Sequence, residues 1–543
     1  MALPGGTQDF PLTLTHVLGR ARTVHHGAEV VTLLDGESNR KRATLAEVAG
    51  RADRLAGGLR SLGVKQGDRV GTFAWNSQEH LEAYYAVPCG GAVLHTLNPR
   101  LSAEQIAYTM NHAGDRVVLV DDSLVGEMEK VLPYLGETVE RFVVIGDGDP
   151  GALPGDPLHY EELLAEQEPG FEWPELDERS AAALCYTSGT TGNPKGVLYS
   201  HRALCLHMLV MAGHDAYRMS ERDRILAVVP MFHAMGWNLG YLAGAVGADL
   251  VMPGRFLQSE QLARLIGEER VTATCGVPTI WMDMLRYAAE AGADLSSLEL
   301  AICGGTQVPP GLMRDFEERH GVKVVQGWGM TETLPGAALA HDPPEAEEEE
   351  RWARREHAGR LTPFYEVRIV DADGEVMPSD GVATGEIEIR GPTVVAEYFE
   401  NPEASAAAMH DGWLRTGDVG TLDAEGWLRI TDRAKDVIKS GGEWISSVDL
   451  ESALMAHPAV VEAAVIALPH ERWSERPLAC VVAEEVSPEE LREFIAPRVA
   501  KWWLPDDFAY LEEIPKTSVG KFDKKVLRDM LATDRLPGRQ RVG

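Results

Sequence analysis

Between Arg69 and Asp147 the apolar positions fall into short runs separated by helical spacing. RVGTFAWN, AVLHTL, RVVLVD and RFVVIGD read as buried strands, because continuous apolar runs bounded by polar turns fit a sheet covered on both faces. Between them EHLEAYYAV, SAEQIAYTMNHAG and SLVGEMEKVL carry the helical period. Such alternation with short connections predicts an α/β body of doubly wound, mostly parallel sheets, which bind ligands at their strand ends. After Leu361 the period shortens. EVRIVD, GEIEIRG and GWLRITD are strand-like and the turns DADG and DAEG suit antiparallel hairpins, so a small β-rich lobe is expected. The polar stretch DRAKD, Asp432 to Asp436, marks a boundary. Beyond it the remaining chain has apolar content enough for a small α/β domain.

The length of 543 residues exceeds what one compact core normally holds, in keeping with that division. Basic residues number 51 and acidic residues 84, a net charge of −33 that excludes sequence-independent binding to nucleic acid or to an anionic membrane. The run Glu345 to Glu350 reads as a solvated helix face. Six cysteines, none in a CxxC pair, give neither a zinc site nor a disulfide framework and are expected as buried thiols. The N-terminus lacks a basic segment followed by an apolar one, and no uninterrupted apolar stretch approaches the roughly 18 residues of a membrane span. A soluble, cytoplasmic protein is expected.

One segment carries most of the chemistry. After the apolar AAALC comes YTSGTTGNPKGV, a loop rich in Gly, Ser and Thr at a strand end. The hydroxyls of Thr187, Ser188, Thr190 and Thr191, the Lys195 ammonium and converging backbone N–H groups suit phosphate. It is not a Walker A loop, since Gly192 is followed by Asn-Pro-Lys-Gly. Downstream, VPMFHAMGWNLGY places His233 four residues before Trp237 in an apolar setting that suits a pocket wall.

The twelve residues from Tyr186 closely resemble the signature of the class I adenylate-forming enzymes. Four further motifs of that superfamily follow in order: QGWGMTET from Gln326, WLRTGD from Trp413, DRAKDVIKSGGEWIS from Asp432 and PKTSVGKF from Pro515. The resemblance spans essentially the whole chain and is nearest to bacterial medium- and long-chain fatty acyl-CoA synthetases. It implies a body over residues 1–431, a hinge at 432–436 and a mobile α/β cap over 437–543. It also implies ATP, Mg²⁺ and coenzyme A as ligands, a carboxylic acid substrate, and a homodimer.

The resemblance further implies roles residue by residue. Thr187 with Ser188, Gly189, Thr190, Thr191 and Lys195 would cradle phosphates; Glu332, helped by Thr187, would hold Mg²⁺; Thr331 would meet the α-phosphate. Gly305, Thr306, Gln326, Gly327 and Trp328 would line the adenine pocket, Asp418 would take the ribose hydroxyls, and Arg433, Lys435 and Trp444 would add nucleotide contacts. Lys521 would bridge carboxylate and α-phosphate during adenylation, with His233 beside the carboxylate and Trp237 blocking an acyl tunnel. After cap rotation Lys439 would face the site, with Gly441 and Gly442 forming the thiol path. Ala234-Met235-Gly236 and Trp328-Gly329-Met330 depart from the usual Val-Asn-Ala and Tyr-Gly-Leu, which bears on chain-length preference. The runner-up substrate is an aryl, branched or sulfur-containing acid. A regulator that keeps the fold without catalysis is disfavoured by Glu332, Lys439 and Lys521.

Overall fold

A computed structural model describes residues 6–187, 193–440, 443–517 and 521–541. Its strands form three sheets. In the first, the strands at Arg69–Phe73, Val93–Thr96, Asp115–Asp121 and Arg141–Ile145 are parallel, as the apolar runs predicted. Ala181–Tyr186 adds in parallel to Val93–Thr96, and Gly196–Ser200 closes the sheet antiparallel. Local signals set the helices between them. Ser102 and Gln105 form a reciprocal cap at the start of Ala103–Ala113, and Gly114, at φ 66°, ends it in the left-handed region that glycine enters without penalty. Gln78–Cys89 is buried at every position but Glu79, as befits a helix held between layers.

The second sheet has a parallel centre: Asp249–Met252, Arg224–Ala227, Ala273–Gly276, Leu300–Gly304 and Lys323–Trp328. The antiparallel strands expected after Leu361 are present, but they do not close on themselves. Ala338–Leu339 and Gly359–Leu361 carry the hydrogen bonding from Lys323–Trp328 across to Trp427–Arg433, so the β-rich lobe continues this sheet. The third sheet is built only from residues 438–541 and packs its own core of residues such as Ile438, Leu454, Val465 and Phe508.

The six cysteines are all buried, as expected. Glu348–Arg355 is helical, with Glu348, Glu349 and Glu350 exposed in its first turn, where acidic side chains suit the helix dipole. Among the described residues no helix is long and apolar enough to cross a membrane.

The join between parallel and antiparallel parts depends on Gly359. Its φ of +113° is open to glycine, and a Cβ there would overlap the Leu339 carbonyl across the strand pair. Gly359→Ala is expected to destabilise the body by roughly 3 kcal/mol or more. A clear drop in the thermal unfolding midpoint checks this, and an unchanged midpoint would contradict it.

Candidate active site

The carboxyl ends of the parallel strands open into one cavity of about 750 Å³ between the body and residues of the C-terminal domain. Thr187 and Lys195 stand at the throat of the hairpin joining Ala181–Tyr186 to Gly196–Ser200. Thr187 N–H donates to the Lys195 carbonyl (2.9 Å), and Lys195 N–H donates to the Thr187 hydroxyl (3.2 Å). The Lys195 ammonium lies 4.7 Å from the centre of the Tyr398 ring. The Tyr398 hydroxyl donates to Glu332 Oε1 at 2.7 Å, so this carboxylate is held in place against the same wall. Thr331 and Glu332 sit in a single helical turn past Lys323–Trp328, steadied by Tyr199, whose hydroxyl donates to the Thr331 carbonyl at 2.5 Å.

A second carboxylate lies across the cavity. Asp418 is 3% exposed and receives the Trp328 indole N–H at 2.8 Å and the Arg433 Nε at 2.7 Å. Two charge-assisted bonds fix its orientation. Gln326 lines the cavity, and its side-chain amide is engaged by the neighbouring backbone. It accepts from Val308 N–H at 2.6 Å and donates to the His357 carbonyl at 2.7 Å, which sets the segment after Gly305 and Thr306. Gly304 has no room for a side chain, because a Cβ would stand 2.5 Å from the Gly327 carbonyl oxygen.

From the C-terminal domain comes Lys521. Its Cε lies 3.2 Å from where a Cβ on Gly305 would be, so the side chain passes over a glycine into the body's cavity. Burial lowers its pKa to about 8; Arg433 pushes the same way, and Asp418 and Glu332 oppose it. His233 borders the same space and is driven down to about 3, first by burial and then by Lys521 and Arg100, so its imidazole is neutral at pH 7. Lys435 lies at the rim with its pKa lowered by burial.

Trp237 is buried against the cavity on an unusual backbone. Ala234, Met235, Gly236, Trp237 and Asn238 have φ of 37°, 45°, 57°, 53° and 65°, a left-handed turn in which four residues carry a Cβ. Asn238 Nδ2 holds its end, donating to the Leu204 carbonyl at 3.0 Å and to His207 Nδ1 at 3.2 Å. His207 Nε2 donates to the Pro335 carbonyl at 2.6 Å, which ties the turn to the segment following Glu332.

The structure thus gathers Thr187, Lys195, His233, Trp237, Gly305, Thr306, Gln326, Gly327, Trp328, Thr331, Glu332, Asp418, Arg433, Lys435 and Lys521 around one space. Lys439 is not brought there. Its side chain is exposed on Ile438–Ser440, and its backbone N–H donates to Glu475 at 2.7 Å. Ser188, Gly189, Thr190, Thr191, Gly441 and Gly442 lie outside the described residues, as does the side chain of Trp444. Sequence reading missed Tyr398 and Tyr199. Tyr199 offered one signal, a phenol hydroxyl in the strand next to the loop, which needs an acceptor when buried.

The AMP-binding enzyme family matches residues 20–399, and the C-terminal domain family of AMP-binding enzymes matches residues 449–521. This chain belongs to the AMP-binding enzyme family. It is 47% identical over 536 residues to a long-chain-fatty-acid–CoA ligase of Thermus thermophilus, covering 97% of both chains. It is 42% identical to a 3-methylmercaptopropionyl-CoA ligase of Ruegeria lacuscaerulensis, covering 96% of this chain and 97% of the relative. Among solved structures, the anthranilate CoA ligase AuaEII in complex with anthranoyl-AMP superimposes with a TM-score of 0.87 at 26% identity, covering 97% and 99% of the two chains.

Trp328→Phe keeps an aromatic ring, though a smaller one, and removes the indole N–H that orients Asp418. Loss of one hydrogen bond to a charged acceptor, worth about 1.5 kcal/mol, should weaken AMP about tenfold by calorimetry. Unchanged affinity would separate the orientation of Asp418 from nucleotide binding.

Proposed function

We propose that this protein is an ATP-dependent, AMP-forming ligase that joins medium- to long-chain fatty acids to coenzyme A, working in the cytoplasm as a homodimer. The observation that carries the reading is Lys521, delivered by the C-terminal domain into a cavity that also holds Glu332, Asp418 and Arg433. A carboxylate is a poor electrophile. Attack on the α-phosphorus of ATP, with pyrophosphate leaving, turns it into a mixed anhydride that a thiolate can open with release of AMP.

In this reading the loop from Thr187 to Lys195 grips the phosphates, Thr331 meets the α-phosphate, and Asp418 takes the ribose hydroxyls. Gly305, Thr306, Gln326, Gly327 and Trp328 enclose the adenine, with Arg433, Lys435 and Trp444 as further nucleotide contacts. The Glu332 carboxylate, anchored by Tyr398 and lining the same cavity as Thr187, suits a hard cation such as Mg²⁺, which needs few protein oxygens when phosphates supply the rest. That cation would neutralise phosphate charge. Lys521 brings the acid's carboxylate to the α-phosphate and stabilises the charge that spreads there as the bond forms. Neutral His233 donates to the carboxylate without adding a charge, and Trp237 closes the acyl tunnel. Rotation of the cap, 437–543, about the hinge 432–436 then replaces Lys521 by Lys439, with Gly441 and Gly442 on the path of the thiol.

A second reading, a ligase for a short sulfur-containing acid, is favoured by one observation, the 42% identity to the 3-methylmercaptopropionyl-CoA ligase. Mass spectrometry of products from ATP, Mg²⁺, coenzyme A and an equimolar pool of fatty, aryl and sulfur-containing acids decides between them. Predominant medium- or long-chain acyl-CoA is expected, and predominant coenzyme A thioesters of the aryl or sulfur-containing acids would overturn the substrate assignment.

Lys521→Ala is expected to reduce ATP–pyrophosphate exchange by about a thousandfold while sparing coenzyme A attack on supplied acyl-adenylate. Equal loss of both half-reactions contradicts the division of labour. Because the free-enzyme pKa is about 8, Lys521 is cationic below that value and neutral above it. Exchange measured as kcat/KM for ATP should therefore fall as pH rises through about 8, and Lys521→Arg should remove that alkaline limb.

A further inference from the structure

Three residues beyond Lys521 stands a second buried lysine that the chemistry above does not use. Lys524 opens the helix Lys524–Ala532, and its ammonium is 2.6 Å from Glu451 Oε1 and 2.6 Å from the Ser447 hydroxyl. Both partners lie on one face of the helix Ser447–Met455, at its first and fifth positions. A buried ammonium and carboxylate are costly to desolvate, and the gain in stability over an apolar pair is small, so the pair is better explained by what it fixes in place.

The same cluster reaches the hinge. Asp432, 1% exposed, accepts the Ser447 backbone N–H at 2.6 Å through Oδ2 and the Arg433 N–H at 2.7 Å through Oδ1. Its carboxylate thus sits at the N-terminus of Ser447–Met455, where a negative charge is favoured. Asp432 belongs to the strand Trp427–Arg433 of the second sheet, whereas Ser447, Glu451 and Lys524 belong to the C-terminal domain. Lys524 also feels the charges of Asp432 and Asp436, and Asp436 is paired with Arg528 at 2.6 Å, one turn along the same helix. On the other side of Lys524, Asp523 N–H donates to the Pro515 carbonyl at 2.7 Å, and Lys521 exchanges hydrogen bonds with Thr517. The segment carrying Lys521 is therefore fastened at its far end to the hinge strand, through Lys524, Ser447 and Asp432.

We propose that Lys524 is a positioning residue for the adenylation half-reaction, holding the segment of Lys521 against the hinge so that the Lys521 ammonium stands over Gly305. The inference rests on the assignment of Lys521 to adenylation. Lys524 borders the same cavity, but its ammonium is taken up by Glu451 and Ser447, so its part is to hold rather than to react. The tie runs between domains in the orientation seen here, so loosening it should slow the half-reaction that needs Lys521 and leave the other.

The test compares ATP–pyrophosphate exchange without coenzyme A and conversion of prepared acyl-adenylate with coenzyme A. Lys524→Ala is expected to lower exchange about 10- to 100-fold while thioester formation stays within about twofold, and Lys524→Arg should restore most of the exchange. Since Lys524→Ala leaves Glu451 buried without its partner, the double variant Lys524→Met/Glu451→Gln, neutral and similar in volume, is measured beside it; a wild-type unfolding midpoint with the same selective loss supports the proposal. Equal loss of both half-reactions, or normal exchange in the folded double variant, overturns it. Lys521→Ala run in parallel separates the two levels. If that variant keeps normal exchange, the assignment of Lys521 has failed; if it loses exchange while the Lys524 variants do not, only the positioning role has failed.

Discussion

The structure turns on the burial of one cation, the Lys521 ammonium, in a cavity built by another domain. Burial lowers its pKa to about 8, below that of an ordinary lysine, because the protein's own groups compensate the charge poorly. Glu332 and Asp418 offset this only in part, since each is engaged by other donors, Tyr398 in one case and Trp328 with Arg433 in the other. A site arranged in this way lacks anions. In the proposed reaction the triphosphate and the carboxylate would supply them.

The rest of the molecule serves to place that site. Parallel strands end together, so the residues after Ala181–Tyr186, Leu300–Gly304 and Lys323–Trp328 converge without long loops. Where backbone must approach backbone, as at Gly304 against Gly327, side chains are excluded. The continuation of the second sheet through Gly359 brings Trp413–Leu422 and Trp427–Arg433, and with them Asp418 and Arg433, round to face Glu332. The antiparallel part is thus the arm that brings Asp418 and Arg433 to the cavity.

Much of this was legible in the chain. Buried parallel strands announce themselves as unbroken apolar runs, and the helical period over SAEQIAYTMNHAG located the helix Ala103–Ala113. The loop after Ala181–Tyr186 stood out by composition, and the structure places its flanking Thr187 and Lys195 on the cavity. Lys521 was not legible by physics alone: a C-terminal lysine is ordinarily solvated, and only its motif singled it out. The left-handed turn at Ala234–Asn238 had no local signal, since Ala, Met and Trp all disfavour that conformation and tertiary contacts through Asn238 and His207 impose it. Tyr398 was hidden for a similar reason, its partner Glu332 being 66 positions away. The continuity of the second sheet was missed because strand order across a sheet is a long-range property that period and turn chemistry do not encode.

The central claim is that the acid's own oxygen attacks the α-phosphorus of ATP. Supplying a fatty acid labelled with ¹⁸O at both carboxyl oxygens, with ATP, Mg²⁺ and coenzyme A, tests it directly by mass spectrometry of the nucleotide. The account predicts AMP carrying one ¹⁸O, with the other retained in the thioester. Unlabelled AMP, or label appearing in pyrophosphate or inorganic phosphate, would contradict it.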